Sequence, residues 1–100
     1  MMPILDDIKI TLRISNTAYD SEINDLVAAA RADLGLSGIL ESKVNDDTDP
    51  LIKRAIIIYV KANFGWNNPD AERLQQSYNM LKCHLALSQE YAEAVTEDVV

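Results

Sequence analysis

Few side chains in this sequence could do chemistry. The one cysteine, Cys83, is followed directly by the one histidine, His84. Catalysis by such a pair needs the thiolate within hydrogen-bond reach of the imidazole and a third group orienting the base. Consecutive helical residues diverge by about 100° and do not meet in that way. The pair is therefore read as structural or incidental. A second cluster, Asn45-Asp46-Asp47-Thr48-Asp49, gathers three carboxylates, the oxygen donors that hard cations take. It lacks the glycine and the distal bidentate glutamate of an EF-hand loop, and it reads better as a solvated loop ending in a helix cap. No glycine-rich phosphate loop, paired-cysteine zinc spacing or dinucleotide fingerprint is present in the sequence. No catalytic residue, cofactor or metal site is expected, so the chain is read as a non-enzyme that works through what its surfaces bind.

The elements that carry those surfaces follow from hydrophobic periodicity and from helix start and stop signals. The stretch Pro3 to Ile14 places Ile4 or Leu5, Ile8, Leu12 and Ser15 at three- and four-residue spacings behind Pro3, which predicts a short first helix. Asp20 or Ser21 is the expected cap of a second helix, in which Ile23, Leu26, Val27, Ala30 and Leu34 form one stripe. Gly35 and Gly38 are expected to end it. A connector over residues 35–49 is pinned by Leu36, Ile39, Leu40 and Val44. Asp49-Pro50 then starts a third helix, running to residue 62, with a cap followed by proline at the first helical position. A turn through Phe64, Gly65 and Trp66 leads to Asn68-Pro69, which repeats that start for a fourth helix reaching Tyr91. At about 1.5 Å per residue the fourth helix would be about 34 Å long, enough to cross the whole domain.

The expected fold is all-α: a compact four-helix domain over residues 1–100, with its core in residues 3–91, a long C-terminal helix and a mobile acidic tail over residues 92–100. The length of 100 residues suits one domain, and 48% apolar with 25% charged residues is ordinary globular composition. A net charge of −7 argues against a general nucleic-acid-binding surface. The N-terminus lacks the basic start and apolar run of a signal peptide, and Lys61 interrupts the longest apolar stretch before it could span a bilayer. A soluble protein kept in a cytosolic compartment, with no membrane partner, is expected.

Two helices carry more apolar surface than one core needs. In the third, Leu51, Ile52, Ala55, Ile56, Ile58, Tyr59 and Ala62 span a core sector of about 160°. The opposite sector holds Lys53, Arg54 and Lys61, with Ile57 and Val60 among them. Either a central helix is contacted on all sides while lysine stems snorkel past it, or this sector is a subunit contact. The fourth helix has one seam of Ala71, Leu74, Tyr78, Leu81 and Leu85, and a second of Met80, Cys83, Leu87 and Tyr91. A second apolar row suggests burial against another chain.

This order of features resembles the tailed-phage head–tail connector family. The resemblance rests on Leu12-Arg13-Ile14 closing a short helix, a polar turn with Asp20, Ala28-Ala29-Ala30-Arg31 on an amphipathic helix, and Pro50-Leu51-Ile52-Lys53-Arg54-Ala55-Ile56 opening an apolar one. It covers about residues 3–91. It implies a structural adaptor, made in the bacterial host cytoplasm and residing at the virion head–tail junction. There it would form a homo-oligomeric ring of about twelve copies under the portal protein. The ring would complete the DNA-filled head after packaging and receive a downstream tail-completion protein, with DNA passing through it without sequence-specific binding. A closed ring needs two different faces per subunit. The expected pair is Lys53, Arg54, Ile57, Val60 and Lys61 on one subunit against Asp25, Ala28 and Ala32 on the next. The competing reading is a small acidic regulatory or inhibitor protein that binds a host factor through its helical surface.

Overall fold

The structure, a computed structural model, describes residues 4–65 and 68–92. Among these residues the fold is all-α, with five helices: α1 (Ile4–Leu12), α2 (Asp20–Leu36), α3 (Glu41–Val44), α4 (Pro50–Asn63) and α5 (Ala71–Leu87). The expectations for Pro3, for Trp66 and for the tail beyond residue 92 lie outside the described residues.

Helix α4 is the centrepiece, packed against α5, α2 and α1. Its Ile52, Ala55, Ile56 and Val60 are sealed from solvent, together with Ile8 of α1, Ile23, Ala30 and Leu34 of α2, and Tyr78 of α5. The buried sector is rotated from the expected one. Val60 is in the core, whereas Leu51 is exposed and Ile58 only half-buried. Helix α2 and helix α5 are both laid against α4, and this three-way packing rather than the width of the apolar arc decides which edge of that arc is covered.

Each helix boundary has a local cause. Helix α1 stops because Arg13 turns into the left-handed region at φ 62°, letting the Ile14 N–H donate to the Lys9 carbonyl at 2.9 Å. The expected side-chain cap of α2 is absent. Asp20 is the first helical residue, and its carboxylate instead pairs with Lys9 at 2.8 Å, tying α1 to α2. Gly35 lies within α2, which ends at Leu36, and Gly38 makes the left-handed exit at φ 102°. Asp49 caps α4 as expected, its Oδ1 accepting from the Leu51 and Ile52 N–H groups at 2.9 and 3.2 Å.

The connector and the C-terminal helix differ from expectation. The connector contains the short helix α3; Ile39 and Val44 pin it, but Leu36 is 88% exposed and pins nothing. Helix α5 begins at Ala71, because Asn68 Oδ1 accepts from the Asp70 N–H in a preceding turn instead of capping the helix. It ends at Leu87, where Ser88 is extended, and so does not reach Tyr91. Tyr91 folds back as a buried plug. Its hydroxyl donates to Asp49 Oδ1 at 3.2 Å, and its carbonyl accepts from the Leu40 N–H at 2.9 Å. Lys43 lies 5.2 Å over its ring. An isolated antiparallel bridge then joins Ile39 to Ala92, so Ala92, expected to open the tail, is part of the packed domain.

Candidate functional site

The outward side of α4 borders a cleft of about 480 Å³ where α1, α4 and α5 meet. Helix periodicity brings Lys53, Arg54, Ile57, Ile58 and Lys61 onto one side of α4, opposite the buried stripe. Thr11 of α1 and Arg73, Leu74 and Ser77 of α5 form the other walls. An adjoining depression of about 340 Å³ shares Thr11, Lys61, Arg73 and Leu74 and adds Arg13, Phe64 and Asp70. The two make one trough with apolar patches on its floor and cations along its rims.

Five of the nine lysines and arginines of the chain border this trough, on a molecule of net charge −7. Charge is therefore segregated, and the trough has the opposite sign from the whole. Lys53 is partly neutralised by Asp7 of α1 at 3.0 Å, and Arg73 makes an exposed contact to Asp70 at 3.6 Å. Arg54, Lys61 and Arg13 have no ion-pair partner among the described residues. The other cations hold the fold together. Arg31 pairs with Asp47 at 2.6 Å, and Lys82 with Asp33 at 3.0 Å.

That last pair belongs to a network fastening α5 to α2. The hydroxyl of the buried Tyr78 donates to Asp33 Oδ2 at 2.6 Å, and Lys82 also lies 5.2 Å over the Tyr78 ring. Burial, and then the Asp33 carboxylate, push the Tyr78 phenol up. Partial burial would raise the Asp33 carboxyl, but hydrogen bonds from Tyr78 and Lys82 outweigh it and hold Asp33 below its ordinary value. The acidic loop is used in the same structural way. Asp46 accepts from Thr48, Asp47 takes Arg31, and Asp49 caps α4. Hydrogen bonds from the Thr48 hydroxyl and N–H hold Asp46 low.

The second expected surface is the outer stripe of α2. Asp25, Ala28 and Ala32 are exposed on a line continued by Leu36, and beside it Ala32, Gly35, Ile39 and Val44 line a depression of about 350 Å³. This stripe lies on the side of α2 away from its buried Ile23, Val27, Ala30 and Leu34. The basic trough and the small-residue stripe share no lining residue.

Among the expected site residues, Lys53, Arg54, Ile57 and Lys61 meet in the trough, and Asp25, Ala28 and Ala32 meet on α2. Val60 does not join the first group; it is fully buried and points into the core. In the second seam, Cys83 is exposed, and Met80 and Leu87 are 64% and 84% exposed on the outer side of α5. Tyr91 lies beyond the end of that helix and is buried, so it cannot belong to that seam. Sequence reading missed Thr11, Ile58, Arg73, Leu74 and Ser77 as walls of the trough. No single-helix pattern carries that signal, because the trough exists only where three helices converge.

The geometry defines a helical domain whose half-buried ion pairs and hydrogen bonds brace its helices and whose unpaired cations line one trough, an arrangement suited to binding other proteins. Residues 4–92 match the family model described as "Phage connector protein", and the chain belongs to that family. It has the phage connector role of that family, which is structural. No curated protein and no solved structure matches the chain. No described helix is long and apolar enough to cross a membrane.

Proposed function

We propose that this chain is the ring-forming adaptor of a phage head–tail junction. It assembles beneath the portal protein in the host cytoplasm, extends the DNA channel of the packaged head and receives the next tail-completion protein. The observation that carries this reading is the pair of unlike surfaces: a basic, apolar-floored trough on α4, and an acidic-to-neutral small-residue stripe on the far side of α2. Unlike patches on one subunit produce head-to-tail contacts, and such contacts close into rings when the rotation permits.

In this arrangement Lys53, Arg54, Ile57 and Lys61 of one copy meet Asp25, Ala28 and Ala32 of the next. The alanines let the neighbouring backbone approach closely, and Ile57 supplies an apolar anchor inside a charged rim, the usual division of labour at an interface. The exposed Met80, Cys83 and Leu87 on α5 are left for the portal or the tail-completion protein.

Sedimentation velocity across a micromolar concentration series, alone and with portal, tests the proposal, with negative-stain images of any large species. Rings, or portal-bound rings, are the expected result. A strict monomer under both conditions overturns it.

A further inference from the structure

The trough and the α2 stripe do not balance in charge. Lys53, Arg54, Lys61 and Arg73 line the main cleft. The facing stripe of a neighbour offers Asp25 as its one carboxylate among Asp25, Ala28 and Ala32. Lys53 and Arg73 already have Asp7 and Asp70 beside them, but closing that contact alone would still trap Arg54 and Lys61, with Arg13 of the adjoining depression, against a single carboxylate, which is costly. The missing negative charge is present elsewhere in the same chain. Residues 93–100 read Glu93-Ala94-Val95-Thr96-Glu97-Asp98-Val99-Val100: three carboxylates interleaved with apolar side chains. The three carboxylates of this segment match in number the trough cations without an ion-pair partner among the described residues, Arg13, Arg54 and Lys61, and its valines suit Ile57, Ile58 and Leu74.

The place where this segment leaves the domain favours a neighbour as acceptor. The bridge between Ile39 and Ala92 is antiparallel, so the backbone at Ala92 is directed back along the connector toward Gly38, at the C-terminal end of α2. That is the end of α2 at which Ala32, Gly35 and the exposed Leu36 sit. A subunit presenting its α2 stripe to a neighbour's trough therefore holds Ala92, the residue before that segment, near the border of the same contact. The segment is longer than the stretch of α4 that lines the trough. Eight residues extend to about 26 Å at roughly 3.3 Å each. The run of α4 from Pro50 to Lys61 is about 17 Å at 1.5 Å per residue.

We infer that the acidic segment of residues 93–98 from one subunit lies in the basic trough of the next, where Glu93, Glu97 and Asp98 neutralise Arg13, Arg54 and Lys61. The inference rests on the head-to-tail reading above and adds a strap to it. Ring closure then depends on two elements of each subunit, the α2 stripe and the strap. Association weakens with salt more steeply than the stripe alone would require.

A charge exchange tests the strap separately from the ring. Reversing the trough (R54E with K61E) and reversing the strap (E97K with D98K) should each weaken self-association at least tenfold by sedimentation velocity, while circular dichroism stays native. Combining both reversals in one chain should restore association to within about threefold. A second measurement distinguishes chains. On a C83S background, chains carrying R54C are mixed with chains carrying D98C under mild oxidation, and a covalent heterodimer is expected. Rings that persist unchanged in the strap variant, with no heterodimer, overturn the strap and leave the ring standing. A disulfide formed only within one chain, when both cysteines are placed in it, also overturns the strap. A wild-type chain that never associates overturns both strap and ring.

Discussion

Ile56 and Ile57 are consecutive on α4, yet about 100° of helix rotation sends one into the core and the other into the trough. Aspartate at each position therefore asks two different questions. At Ile56, fully sealed from solvent, the change removes about 1.5–3 kcal/mol of side-chain burial and adds the cost of a buried, unpaired carboxylate. The total approaches the 5–15 kcal/mol that holds a typical domain folded, so I56D should be largely unfolded. At Ile57 the side chain is half-buried, so about 1 kcal/mol of burial is lost. The new carboxylate also falls four residues from both Lys53 and Lys61, and each such pair returns about 0.2–0.5 kcal/mol. I57D should therefore melt within a few degrees of wild type. If Ile57 anchors a neighbour, losing the remaining half of its burial should weaken association by about 1 kcal/mol, roughly fivefold. Thermal denaturation followed by circular dichroism at low concentration reads the first effect, and sedimentation velocity at high concentration reads the second. An I57D variant that unfolds like I56D would place Ile57 in the core. One that folds and still assembles like wild type would remove the trough from the contact.

The Asp33 network sets an acid limit. Asp33 is held below its ordinary value in the folded chain, so its contribution to stability is complete above the unfolded carboxyl range near pH 4 and disappears as pH falls through the folded value. Urea unfolding from pH 7 to pH 2.5 should show this loss, and D33N should flatten the acid limb while lowering stability at pH 7. Asp49 serves both as the α4 cap and as the acceptor for Tyr91. D49A should cost about 1–3 kcal/mol, combining a lost cap with a lost tyrosine hydrogen bond. Hydrogen exchange should accelerate at the Leu40 N–H, which donates to Tyr91, and unchanged exchange there would mean that Tyr91 is held independently of Asp49. Arg13 occupies the left-handed region, where glycine is at ease, so R13G should raise stability by up to about 1 kcal/mol in a thermal melt, or leave it unchanged if unfolded-state entropy offsets the relief.

Much of this architecture is local and so was legible in the residues. Asp49-Pro50 starts α4 because a carboxylate and a proline satisfy the first turn wherever that helix is placed, and Ile23, Val27, Ala30 and Leu34 of the α2 stripe are buried as its period demands, with Leu26 half-buried at its edge. The absence of a helix start at Asn68-Pro69 shows the limit of such signals. A similar pair, asparagine before proline, closed a turn instead, since Asn68 could accept from the Asp70 N–H locally. The basic stripe of Lys53, Arg54 and Lys61 around Ile57 was likewise visible, because its members share one helix face.

What the sequence by itself determined about this protein is its four longer helices, its acidic balance and the presence of a basic face on its most apolar helix. Only the tertiary structure decided that Val60 belongs to the core and Ile58 to the trough, that Arg73 and Leu74 arrive from α5 to complete that trough, and that Tyr91 leaves the helix to plug the domain beside Asp49. The physical reason is the range of the interactions. Caps and periodic stripes act within one or two turns of a single helix, whereas the edge of a buried sector and the walls of a cleft are set by which other helices lie alongside, and the hydrophobic effect that places them is non-directional.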